Sequence, residues 1–220
     1  GDGTFTCEIN NQAAVQGYTA DSAPIVIPVN TPGYSAMEAP TDYVADSVSY
    51  TSAGFIYVAA GCRGRDAGAP AGVTDLKAAI RYIRYNDGVI PGDVDRIFSF
   101  GMSGGAQSAL LGATGDSEDY EPYLTAIGAV SGISDAVTGS MCWCPITELD
   151  YADEAYEWNL GNTRTDLTEQ EQTLSNGMAE AFVQYINDLG LKDSSGNKMT
   201  LTESEEGIYQ SGTYYEYLKG

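Results

Sequence analysis

DRIFSFGMSGGAQSALLGAT, residues 95–114, is the stretch from which the rest of the chain is read. Ile97, Phe98 and Phe100 give residues 96–100 the β-branched and aromatic content of a buried strand. Gly101-Met102-Ser103-Gly104-Gly105 follows at once, with G-x-S-x-G spacing. A serine on a tight turn after a strand takes a strained backbone conformation in which neighbouring Cβ atoms would clash. Glycines two before and two after it relieve that crowding. Ala106, Ser108, Ala109, Leu110 and Leu111 then begin a helix whose small side chains permit close packing on a sheet. Ser103 is therefore expected at a helix N-terminus, where backbone N–H groups favour developing negative charge. The competing reading, in a chain with 26 glycines, is a glycine-rich β–α turn kept for geometry alone.

Outward from this turn, the preceding chain repeats a strand-then-helix order. Residues 24–29, PIVIPV, form a continuous apolar run suited to a buried parallel strand, and Asn30-Thr31-Pro32-Gly33-Tyr34 makes the loop at its end. That loop is either an oxyanion donor, through an open N–H beside Gly33, or an ordinary Pro-Gly turn. Residues 42–50 read as a modest helical segment. Residues 54–60, GFIYVAA, read as a second buried strand, followed by a loop with Arg63 and Arg65. These arginines are expected to pair with Asp66 or another acid, or to bind an anionic group. Thr74 is expected to cap a helix to about Asn86, with Val73, Leu76, Ile80 and Ile83 on its inner face and Lys77, Arg81 and Arg84 on the opposite one. The sequence of elements argues for an α/β fold with a parallel sheet.

Beyond the 95–114 stretch, residues 115–123 (GDSEDYEPY) read as an acidic solvated loop, residues 125–136 as helix or loop, and residues 141–146 (MCWCPI) as the next strand ended by Pro145. From Thr147 the character becomes helical. Tyr151, Ala155 and Trp158 share a face, Thr168 and Glu171 have capping-box spacing, and Met178, Phe182, Tyr185 and Leu189 form a stripe ending at Gly190. The division is thus 1–146 for the sheet-forming part and 147–220 for a helical cap, with residues 1–20 an edge strand or leader.

Composition narrows the function. The chain has 220 residues, a formal charge of −21 and only 10 scattered basic residues, so nucleic acid and anionic membrane surfaces are poor partners. No apolar run approaches the ~18 residues of a membrane-spanning helix. Cys7, Cys62, Cys142 and Cys144 have no C-x-x-C pairing and there is no histidine, so no metal site and no cofactor is expected, while disulfides and free thiols stay equally open. The absence of histidine also means that the chain cannot complete a Ser-His-Asp triad by itself.

Six blocks carry a likeness that spans most of the chain: 24–34, 54–66, 72–86, 95–124, 144–161 and 211–220. Together they resemble the bacterial tannases and related feruloyl esterases of the α/β-hydrolase superfamily. The resemblance implies Ser103 as the acyl-accepting nucleophile, with an oxyanion hole formed by the backbone N–H of Gly104 and one near Gly33 or Tyr34. It implies a lid inserted after the strand at 141–146, with the triad acid and histidine beyond that lid. The sheet's last strands, the acid and the base would then be supplied by a second polypeptide segment. Fungal relatives place a cysteine directly before the nucleophile; Met102 stands there instead.

The function expected on this basis is a serine esterase of phenolic acid esters, galloyl or hydroxycinnamoyl, acting through an acyl-enzyme. Competing readings are a carboxylesterase of acylated carbohydrates and a non-catalytic hydrolase-fold binding module or fragment. Acidity and the kind of substrate implied point to a secreted or cell-surface bacterial protein.

Overall fold

The structure, a computed structural model, describes residues 17–146, 148–205 and 207–220. Cys7, the reading of residues 1–16 and the boundary residue Thr147 lie outside the described residues. The chain divides into two compact units, one ending before Glu148 and one running from Glu148 to Gly220.

The first unit is built on a parallel four-stranded sheet of order β2-β1-β3-β4. The strands are β1 (Pro24–Val29), β2 (Ile56–Tyr57), β3 (Asp93–Met102) and β4 (Gly139–Trp143). The helices of this unit are α1 (Val48–Thr51), α2 (Ala71–Tyr85), α3 (Gln107–Thr114) and α4 (Glu121–Ala126). β1 and β3 are central, and Ile25, Ile27 and Val29 pair in register with Ile97, Ser99 and Gly101. Paired residues point to one face, and on it Ile25, Ile27, Val29 and Ile97 form a core with Val73, Leu76, Ile80, Ile83 and Leu111 from α2 and α3. The opposite face carries Phe100, which stacks on Tyr50 at 5.3 Å and meets Trp143 edge-on at 6.4 Å.

Three expectations are corrected here. β2 has only two residues of strand, both half-buried, and among the described residues it pairs with β1 alone. α2 begins at Ala71, three residues before Thr74, whose hydroxyl donates to Pro70 O at 2.9 Å from inside the first turn. β4 starts two residues earlier than expected and ends at Trp143.

On the cationic face of α2, opposite the apolar one, Lys77 and Arg81 are buried. Lys77 is fully buried and its Nζ lies 2.7 Å from Asp135 Oδ1, while Arg81 binds Asp135 at 2.8 Å and Glu121 at 2.7 Å. The segment 115–123, expected as a solvated loop, holds a 3-10 turn (Glu118–Tyr120) and the start of α4 instead. Its Glu121 meets Arg81, and the Tyr120 ring lies 4.7 Å from Lys77 Nζ.

The second unit contains α5 (Ala152–Leu160), α6 (Glu169–Leu189) and α7 (Thr213–Lys219). Thr168 and Glu171 form the capping box, and Gly190 ends α6 in the left-handed conformation at φ 63°. The buried positions of α6 are Ser175, Ala179, Val183 and Ile186. The aromatic stripe read from the sequence flanks this line, with Phe182 and Tyr185 packed against the core of Val183, Ile186 and Leu201. Wide side chains cover the seam from beside it, and smaller ones sit in it.

Candidate active site

β3 delivers Ser103 to the surface. The strand ends at Met102, and a 3-10 turn, Ser103–Ala106, leads straight into α3. Ser103 has φ 55°, one of three non-glycine residues among those described with positive φ, and it is exposed. Such a conformation costs an L-residue about 1–2 kcal/mol and is held only where its surroundings enforce it.

The enforcing contacts are those the glycine spacing anticipates. A Cβ on Gly101 would run into Gly105 O, and a Cβ on Gly105 would lie 2.5 Å from Val29 O. Neither glycine needs a positive φ; each is required by the approach of another backbone. Gly104 is the second residue of the turn, and the first N–H groups of such a turn have no acceptor within it. They are suited to a transient oxyanion.

The loop after β1 lies against this turn. It forms its own 3-10 turn, Pro32–Tyr34, with Gly33 at φ 58° and Tyr34 at φ 59°. Tyr34 N–H donates to Thr31 O at 2.9 Å, closing the turn, so Gly33 is the better placed of the two candidate donors. Gly33 O accepts from Arg65 Nη1 at 3.2 Å. Arg63, by contrast, makes a paired bond to Asp75, and neither arginine bonds Asp66.

The loop after β2 is locked onto the one after β1. Met37 and Cys62 exchange backbone hydrogen bonds at 2.9 and 2.7 Å. A Cβ on Gly64 would overlap Ala36 N, and one on Gly61 would lie 2.8 Å from Ala39 N. Arg65 is carried to Gly33 by this fit.

The link that sequence reasoning missed is Gln107, the first residue of α3. Its Nε2 donates to Thr31 Oγ1 at 3.1 Å, and both residues are buried. A long carboxamide side chain among the small and apolar residues from Ala106 to Leu111 was the available signal. The structure thus brings Ser103, Gly104, Gly33 and Tyr34 into two adjoining turns and adds Gln107, Thr31 and Arg65 around them.

Among the described residues, Cys62, Cys142 and Cys144 are free thiols, and no cluster of three or more His, Cys, Asp or Glu side chains is arranged to hold a metal ion. No described helix is long and apolar enough to cross a membrane.

Residues 15–186 match the BD-FAE family. The chain is similar to the crystal structure of Fusobacterium nucleatum tannase, with 37% identity, a TM-score of 0.73, and coverage of 94% of this chain and 51% of that one. It is similar to the tannin acyl hydrolase from Lactobacillus plantarum, with 36% identity, a TM-score of 0.71, and coverage of 94% and 50%. A tannin acyl hydrolase solved in complex with ethyl gallate matches with 36% identity, a TM-score of 0.72, and coverage of 94% and 50%. The chain therefore spans about half the length of these structures. No curated protein sequence matches it.

Proposed function

Because this chain belongs to the BD-FAE family, we propose that it carries the nucleophile and oxyanion hole of a serine esterase acting on phenolic acid esters of the galloyl or hydroxycinnamoyl type. The observation that carries the reading is Ser103 at φ 55°, exposed on the turn between β3 and α3 and set beside the Gly33 turn.

In the proposed reaction Ser103 Oγ attacks the ester carbonyl and gives its proton to a general base. The carbonyl oxygen becomes an oxyanion that takes hydrogen bonds from the N–H groups of Gly104 and Gly33. Collapse expels the alcohol, which leaves with that proton, and an acyl-Ser103 ester remains. Water activated by the same base then releases the acid and restores the serine. None of the 220 residues is histidine, so the base and its acid partner are proposed to come from a further polypeptide segment. The complexed ethyl gallate of one similar structure and the tannase names of the others support the choice of ester class.

The missing histidine also favours a second reading, a hydrolase-fold module that binds such esters without turning them over. Fluorophosphonate treatment of the intact protein, followed by peptide mass spectrometry, separates the two. The esterase reading expects a phosphonyl adduct on the Ser103 peptide and turnover of gallate or ferulate esters. An unlabelled, inactive protein sinks it.

A further inference from the structure

Gln107 is an expensive residue for the start of a buried helix. It is 4% exposed, and among the described residues its Oε1 has no hydrogen-bond partner. That oxygen is pressed against Gly72 in the first turn of α2, where a Cβ would collide with it and would also lie 2.7 Å from Arg63 O. A buried amide oxygen left unpaired is destabilising, and an apolar side chain of similar volume avoids that cost. Stability alone does not account for glutamine here.

The other half of the carboxamide does something an apolar side chain cannot do. Nε2 reaches Thr31 Oγ1 at 3.1 Å, and Thr31, fully buried, opens the turn that holds Gly33. Gln107 itself follows directly on the 3-10 turn that begins with Ser103. One hydrogen bond therefore joins the segment bearing the nucleophile to the segment bearing the second oxyanion donor, 76 residues away in sequence. Backbone packing of Val29 O against Gly105 also holds the two segments close.

We infer that Gln107 is a positioning residue of the proposed reaction: through Thr31 it sets the Gly33 N–H relative to Ser103 so that both oxyanion donors converge on one point. This rests on the serine esterase reading above. A donor displaced by about 1 Å is enough to lower a rate by on the order of a hundredfold.

The test uses the intact protein, with Gln107→Met, Thr31→Val and Thr31→Ser. Esterase kcat and KM, the rate of phosphonylation of Ser103 by a fluorophosphonate, and the melting temperature are measured on each. Gln107→Met and Thr31→Val are expected to lower kcat by about 10- to 100-fold, with KM within about twofold and the fold intact. Slower phosphonylation accompanies the loss, Thr31→Ser recovers the rate, and the Gln107→Met/Thr31→Val double variant is no slower than the worse single one. A labelled, active wild type whose Gln107→Met variant turns over within twofold overturns the inference, as does a kcat that falls only in step with the melting temperature. A wild type that takes up no phosphonyl group overturns the serine reading instead.

Discussion

Lys77 Nζ lies 2.7 Å from Asp135 Oδ1, and neither side chain is more than 2% exposed. Asp135 also accepts from Arg81 Nε at 2.8 Å, and Lys77 donates to Gly115 O at 2.6 Å. Two cations on α2 thus close over one carboxylate of the segment leading into β4.

Removing that carboxylate takes from buried Lys77 its anionic partner among the described residues and leaves Arg81 with Glu121. Asp135→Asn is expected to destabilise the protein by about 3–5 kcal/mol. Urea denaturation of wild type and variant, with the midpoint shift read at unchanged slope, measures it.

Asp116 gives the first unit an acid sensitivity. Burial acts to raise its carboxyl pKa, but hydrogen bonds from Ser134 Oγ and from the N–H groups of Asp135 and Ala136 outweigh burial and hold it below the ordinary aspartate value. A carboxylate depressed by folding stabilises above its unfolded pKa, and that contribution is lost as the pH falls through the folded value. Asp116→Asn is expected to melt below wild type at pH 7, and the gap is expected to close as the pH falls below the ordinary aspartate range. Parallel melting curves from neutral to acid pH would refute this.

The backbone at Ser103, the proposed nucleophile, offers a test that separates strain from chemistry. Ser103→Ala and Ser103→Gly both remove the hydroxyl, and neither is expected to be phosphonylated or to turn over ester. Glycine tolerates φ 55° and alanine does not, so the glycine variant is expected to be more stable than the alanine variant by about 1 kcal/mol. Thermal melts of the two side by side decide it.

Gly105→Ala places a methyl group 2.5 Å from Val29 O, a backbone atom of a central strand. The turn must shift, at a cost of about 1–3 kcal/mol. Phosphonylation of Ser103 is expected to slow by more than tenfold, and an unchanged rate would mean that the turn tolerates the displacement.

These particulars show where sequence reading succeeds. PIVIPV and the 95–114 stretch were legible because a central parallel strand is apolar on both faces and because a strained turn demands glycine at fixed offsets. The second face of α2 was not legible. A cationic stripe at helical spacing looks alike whether it faces water or a buried carboxylate, and Asp135 lies 58 residues from Lys77. Gln107 was hidden for the same reason: its partner Thr31 is adjacent only after β1 and β3 pair. The short β2 reflects what periodicity omits, since GFIYVAA is apolar enough for a central strand but among the described residues has a neighbour on one side only.

The interlocking of residues 36–39 with 61–64 bears on how this protein can be redesigned. Gly61 and Gly64 meet the backbone of the neighbouring loop with no side chain between them, and Met37 and Cys62 bond in both directions. The two loops therefore behave as a single unit. An insertion or a bulky replacement in either one displaces the other and, through Arg65, the Gly33 turn. Libraries meant to change what the site accepts should vary both loops together or graft them as a pair, because one exchanged alone arrives without its mate.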